Sequence, residues 1–180
     1  MNLPNILSVI RLCMIPVTAI LFANEKITAA VIIFIAACLT DMLDGYIARK
    51  YNMITDIGKV LDPLADKGMQ ITMLVSMAVC DLMPWLLVML LFLKELLMCI
   101  GGALLYKANT VIAANSYGKI STVVTSSCVV LILLLHNFLP PYLMLFLQWL
   151  PVVFAIYAFI RYTCLFVSWK KENKIFGKEA

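Results

Sequence analysis

Apolar residues fill this chain in long blocks, and polar residues are largely confined to the breaks between them. Six blocks stand out, roughly at 5–23, 27–48, 61–79, 84–106, 117–136 and 143–168. Each reaches the ~17–25 residues that a helix needs to cross a hydrocarbon layer ~30 Å thick. Barrel strands would be shorter and would alternate in polarity, so the pattern predicts helices. The expected architecture is an all-α integral membrane protein. It has six transmembrane helices joined by short loops, a short N-terminal interfacial segment and a basic tail, in a single domain over 1–180. Composition agrees: 64% of the 180 residues are hydrophobic and 13% charged, where a soluble domain carries ~25% charged residues.

Lysine and arginine set the orientation. One side collects Arg49, Lys50, Lys59, Lys67, Lys107, Lys119, Lys170, Lys171, Lys174 and Lys178, while the other has Lys26 alone, near Glu25 and Asp81. The positive-inside rule then predicts that both termini are cytoplasmic, in a multi-pass protein of the cell's inner membrane. The net charge of +4 arises largely at those ends, which attract anionic headgroups; it calls for no nucleic-acid partner. No Lys or Arg precedes Arg11, so the first block reads as a retained span and not as a cleaved signal. Asn2-Leu3-Pro4-Asn5 would open an interfacial turn, with Arg11 near the headgroups. Trp85, Tyr142 and Trp169 fall at predicted borders, as interfacial aromatic residues do. The six cysteines lack the close spacing of a zinc site and read as small packing residues. His136, alone at an outer border, reads as interfacial.

One segment breaks the apolar pattern. Between Asp41 and Asp66 lie five of the ten acidic residues, within 26 positions. Carboxylates at a membrane border are costly to keep and mark function by default. Asp41 and Asp44, three apart, share a helix face, as do Asp62 and Asp66, four apart. The short polar connection, with Tyr51, Asn52, Thr55, Asp56 and Gly58, would set the second and third helices antiparallel and adjacent. Four carboxylates then converge, and their mutual repulsion at an intermediate dielectric is severe. One or two divalent cations would remove it, and all-oxygen ligands suit Mg²⁺ or Mn²⁺. Gly45 and Ala48 let a flat group lie against the backbone, Gly58 opens space opposite, and Arg49 suits a phosphate oxygen or an aspartate. Together these features describe phosphoryl-transfer chemistry. Plainer readings exist for single positions: Asp62 before Pro63 as a helix N-cap worth ~1 kcal/mol, Asp41 and Asp44 paired with Arg49 and Lys50, Gly45 as a packing glycine. None explains why all of them fall at one border in one register.

The run Asp41-x-x-Asp44-Gly45-x-x-Ala48-Arg49, eight further residues, then Gly58-x-x-x-Asp62-x-x-x-Asp66 resembles the complete signature of the CDP-alcohol phosphotransferase family. The opening Asn2-Leu3-Pro4-Asn5, with Ser8 and Arg11, is similar to the start of its bacterial members. The resemblance implies a six-helix homodimer whose site lies between the second and third helices, open to the cytosol. It implies a donor, CDP-diacylglycerol, from which an alcohol displaces CMP. By position, Asp41, Asp44, Asp62 and Asp66 would hold two divalent metals on the diphosphate. Gly45 and Ala48 would pack the cytidine, with Gly58 opposite and Arg49 near the phosphates. Asp66 would be the general base toward the acceptor hydroxyl. An aspartate ionises near ~3.9, so that base is weak and charge neutralisation has to carry much of the barrier reduction. A site at the border keeps acyl chains in lipid and the nucleotide in water.

Within the family the chain most resembles members that form phosphatidylglycerophosphate from sn-glycerol 3-phosphate. An acceptor phosphate needs cations, and Lys94 beside Glu95, Lys119 after Gly118, and Arg161 are the candidates. Their plain readings are an ion pair inside the bundle, a border anchor and a snorkelling side chain. Those members carry further basic residues where this chain has Gly102 and Ser121. That thinner set is similar to members that accept phosphatidylglycerol and make cardiolipin. Glycerol 3-phosphate remains the first expectation. A rival of another class, an ion-coupled transporter, would place its acids near the midplane on interrupted helices in paired halves. Here they sit at one border and are not repeated.

Overall fold

The computed structural model describes residues 3–50, 58–107 and 116–176. Among them are six helices and no strand: α1 (Leu3–Ala23), α2 (Ile27–Lys50), α3 (Gly58–Val79), α4 (Trp85–Lys107), α5 (Ser116–Leu135) and α6 (Pro141–Phe176). Each apolar block of the sequence becomes one helix. By length and composition, Asn5–Ala23, Gly118–Leu135 and Pro141–Cys164 can cross a membrane, and Ile27–Leu43 is a shorter apolar stretch. The apolar run of α2 stops where the acidic segment starts, and α3 carries Lys59, Asp62, Asp66 and Lys67 in its first turns.

Two helix starts differ from expectation. The helix of α1 already begins at Leu3, so Leu3-Pro4-Asn5 is its first turn and not an interfacial turn ahead of it. Proline is tolerated there because the first N–H groups of a helix have no partner to lose. α3 begins at Gly58, which places Asp62 and Pro63 inside the helix. Asp62 is therefore not its N-cap, and its carboxylate is free to turn to another helix. The expected connection through Tyr51, Asn52, Thr55 and Asp56 lies outside the described residues, as does Lys178; the same holds for the side chains of Trp169, Lys170, Lys171 and Lys174.

Two turns close on non-glycine residues. Glu25 and Asp81 have φ of 58° and 57°. Around Glu25, Lys26 N–H bonds the Leu21 carbonyl at 2.9 Å and Glu25 N–H bonds the Phe22 carbonyl at 3.0 Å. The same pair of bonds recurs from Leu82 to Met77 at 2.9 Å and from Asp81 to Ala78 at 3.2 Å. These are Schellman closures, which satisfy the last carbonyls of α1 and α3.

The chain forms two units, each with its own interior: Met1–Val88 with Val129–Pro140, and Met89–Cys128 with Pro141–Ala180. In the first, α1 packs along both α2 and α3, which touch each other less. Buried Phe22, Phe34, Ala37, Ala65, Met69, Met73 and Met77 make up its core. The contacts between α1 and α3 advance in step, Ser8 with Asp62, Ile15 with Gly68 and Thr18 with Met69, so the two helices run parallel. Their approach is closest at Gly68, where a Cβ would lie 2.7 Å from Ile15 Cδ1. In the second unit, Val152, Ala155 and Ala158 form the buried stripe of α6 at three-residue steps. The six cysteines form no disulfide; Cys128 is buried, Cys38 and Cys80 are half-buried, and Cys13, Cys99 and Cys164 are exposed. His136 Nδ1 lies 3.1 Å from the Leu133 carbonyl at the end of α5.

Candidate active site

The face that α1 buries changes character along its length. Toward its start the buried residues are Asn5, Ser8 and Arg11, with exposures of 7%, 0% and 1%; further along they are Thr18 and Phe22. The polar part coincides with the acidic segment of its neighbours. Arg11 Nη1 donates to Asp41 Oδ1 on α2 at 2.8 Å. Ser8 Oγ donates to Asp62 Oδ1 on α3. One helix thus holds a carboxylate from each of the other two. Arg11, read from the sequence as a headgroup residue, is buried in protein instead, because an ion partner within the bundle is worth more than a snorkelling position.

Asp41 stays partly open, its side chain 41% exposed beside the buried guanidinium. It lies within electrostatic reach of Arg11, Asp66, Asp62 and Lys67. Asp66, one turn after Asp62, is 36% exposed, and Lys67 Nζ lies 3.6 Å from its Oδ2. Gly58 is buried at the start of α3 and Gly45 is half-buried on α2. Asp44, Ala48 and Arg49 belong to α2, with side chains outside the described residues.

The residues expected to meet an acceptor phosphate belong to the second unit. Lys94 is 7% exposed and forms an ion pair with Glu95, itself 12% exposed. Lys119 and Arg161 are exposed. Ser121, at a position where similar family members carry a basic residue, is 1% exposed, and its hydroxyl has no hydrogen-bond partner among the described residues. Gly102 belongs to α4, and its surroundings lie outside the described residues. Ser8 and Arg11 are the residues that sequence reasoning left out of the site, and Asn5 is buried on the same face. Their signal was present: three polar residues at three-residue steps inside an apolar block share one helix face.

The donor chemistry around Asp41, Asp62 and Asp66 fits a hard divalent cation. The oxygens are anionic, two of the three side chains are steered by neighbours, and none of the groups in reach is an imidazole or thiolate. Among the described residues no three His, Cys, Asp or Glu side chains close on one point; Asp44 lies outside that set. Partly neutralised carboxylates beside a membrane-embedded helix surface can gather cationic charge and accept a proton, which is what transfer between phosphate esters requires.

Residues 1–159 match the family model for CDP-alcohol phosphatidyltransferase. A CDP-diacylglycerol–glycerol-3-phosphate 3-phosphatidyltransferase of Bacillus subtilis is 38% identical over 153 residues, which cover 76% of this chain and 78% of that protein. A protein of the same name from Aquifex aeolicus is 35% identical over 172 residues, covering 94% and 92%. The chain belongs to the CDP-alcohol phosphatidyltransferase family, whose enzymes transfer a phosphatidyl or related group to an alcohol. With its apolar helices, it is a membrane-embedded member.

Proposed function

We propose that this protein transfers the phosphatidyl group of CDP-diacylglycerol to sn-glycerol 3-phosphate, releasing CMP and forming phosphatidylglycerophosphate. The observation that carries the reading is the unbroken Asp41–Asp66 signature, two of whose carboxylates are held by one neighbouring helix. The names of relatives that align over most of the chain favour glycerol 3-phosphate as the acceptor.

Asp41, Asp44, Asp62 and Asp66 would hold two divalent ions, Mg²⁺ or Mn²⁺, which neutralise the diphosphate of the donor and its leaving group. Gly45, Ala48 and Gly58 give the cytidine room against the backbone, and Arg49 supports the phosphates. Asp66 takes the proton of the acceptor hydroxyl. The acceptor oxygen then bonds to the phosphorus that carries the diacylglycerol, and the bond from that phosphorus to the bridging oxygen breaks, leaving CMP. In-line positioning and charge neutralisation supply most of the rate. Lys119 and Arg161, exposed cations, and Lys94 would meet the acceptor phosphate. The six apolar blocks support six membrane spans, the distribution of Lys and Arg supports a site and both termini on the cytoplasmic side, and the family resemblance supports a homodimer.

The test is CMP release by purified protein with CDP-diacylglycerol and Mg²⁺ or Mn²⁺. Glycerol 3-phosphate, phosphatidylglycerol, serine and inositol are offered in parallel. Turnover with glycerol 3-phosphate alone supports the reading. Turnover with phosphatidylglycerol alone would shift it to cardiolipin synthesis, and no CMP with any alcohol would refute the enzyme reading altogether.

A further inference from the structure

The polar face of α1 carries more than packing requires. Burying a guanidinium and a hydroxyl is costly unless each finds a partner, and apolar residues of similar volume commonly hold helices together as well or better. α1 nevertheless buries Ser8 completely and Arg11 to 1% exposure. Their partners are not arbitrary: each belongs to the acidic signature, and each sits on a different helix. Among the described residues, α2 and α3 touch each other less than either touches α1. A continuous path links Asp41 to Asp62 through α1, from Asp41 to Arg11, along one helical turn to Ser8, and across to Asp62. One turn of helix is rigid on this scale, and a second turn further on the close approach of Ile15 to Gly68 fixes α1 against α3.

We infer that Ser8 and Arg11 are positioning residues of the transfer site: they set the spacing and orientation of the α2 and α3 carboxylates, and so the affinity for divalent cations and the rate of transfer. Ser8 donates to one oxygen of Asp62 and so fixes the turn of its carboxylate. Arg11 does the same for Asp41 and adds a fixed positive charge among the carboxylates. Neither touches the reacting atoms. Groups that orient metal-binding carboxylates in this way change metal affinity or activity by ~10–100-fold when removed. The inference rests on the proposed function of the acidic cluster, so its test has to separate the two.

The experiment uses the full-length protein in detergent, with Ser8→Ala, Ser8→Thr, Arg11→Lys and Arg11→Gln. Three quantities are read: Mn²⁺ affinity without substrate, by electron paramagnetic resonance of free Mn²⁺; kcat and KM for CMP release; and melting temperature. Ser8→Ala and Arg11→Gln are expected to weaken Mn²⁺ binding and lower kcat by ~10–100-fold, with KM for the acceptor alcohol little changed. Ser8→Thr, which keeps the hydroxyl, restores both. Arg11→Lys keeps the charge but loses the planar fork, and it falls between. Variants that melt earlier yet keep wild-type Mn²⁺ affinity and kcat would show Ser8 and Arg11 to be packing residues and overturn the inference alone. If Arg11→Gln fails to fold, Ser8→Ala, a loss of one oxygen atom, decides by the same readings. A wild-type protein that neither binds Mn²⁺ nor releases CMP overturns the site reading and this inference with it.

Discussion

Gly68 is where a small change should separate stability from catalysis. A Cβ at this position would sit 2.7 Å from Ile15 Cδ1, about 1 Å inside ordinary van der Waals contact. For Gly68→Ala the burden falls on the tip of one flexible side chain. Rotating Ile15 off its preferred geometry costs ~0.5–1.5 kcal/mol, while alanine gains ~1 kcal/mol over glycine within a helix. The two nearly cancel, so Gly68→Ala should melt within about 2–4 °C of the wild type and keep most of its activity. Gly68→Val adds two methyl groups in the same gap, so more of the Ile15 side chain has to give way. Overpacking of that kind costs ~1–3 kcal/mol, or very roughly 2–12 °C for a chain of this size. The larger effect should be on turnover. Relief comes from parting α1 from α3, and Ser8 on α1 holds Asp62 less than two turns from the clash. A displacement near ~1 Å at a transfer site costs up to ~100-fold in rate. Melting is followed by the fluorescence of the three tryptophans, and turnover by CMP release. Ile15→Ala in the Gly68→Val background removes the obstructing atoms and should return both readings toward wild type. The reasoning is refuted if Gly68→Val keeps full activity, or if Ile15→Ala fails to rescue it.

Asp66→Asn should abolish CMP release while CDP binding in the presence of Mn²⁺, measured by calorimetry, stays within about tenfold of wild type; a retained rate would remove Asp66 as the base. Lys119→Ala should raise KM for glycerol 3-phosphate several-fold more than KM for CDP-diacylglycerol, as loss of a charge-assisted contact does, and equal effects would count against an acceptor role. Lys94→Met separates two roles: a lower melting temperature with unchanged KM marks the Lys94–Glu95 pair as structural, and a raised acceptor KM marks Lys94 as a ligand. Asp81→Gly should raise stability by about 0.5–1 kcal/mol, because φ of 57° strains any residue with a Cβ; an earlier melt would mean that the Asp81 side chain makes a compensating contact.

Much of this molecule is readable from its sequence, for reasons that differ by region. Long apolar blocks give helices directly, because backbone groups in lipid have no partner outside their own helix. The signature is legible because fixed intervals of three and four residues repeat on a helix surface. Helix starts are less legible. Asp62-Pro63 carries a strong N-terminal signal, yet α3 begins four residues earlier at Gly58. Pro63, the sixth residue of α3, forgoes one intrahelical bond, and the capping pattern did not mark the real boundary. The ion pair that was the plain reading of Lys94 forms with Glu95, although neighbours in sequence point about 100° apart on a helix and meet only through the length of their side chains.

The largest gap concerns α1, and its cause is physical. An arginine in an apolar block has two ways to escape hydrocarbon: reach to the headgroups, or find a carboxylate inside the bundle. Sequence spacing alone favours neither. What decides is that the neighbouring helices already carry more negative charge than they can hold unaided. A buried cation on α1 lowers that cost, and Asp41 accepts it at 2.8 Å. Ser8 follows one turn earlier on the same buried face, where it meets Asp62 on α3. A charge cluster placed on two helices thus dictates the composition of a third. The consequence extends beyond this pair: residues that accommodate such a cluster should be sought on every helix packed against it, at three- and four-residue steps, even where hydropathy reads only a membrane span.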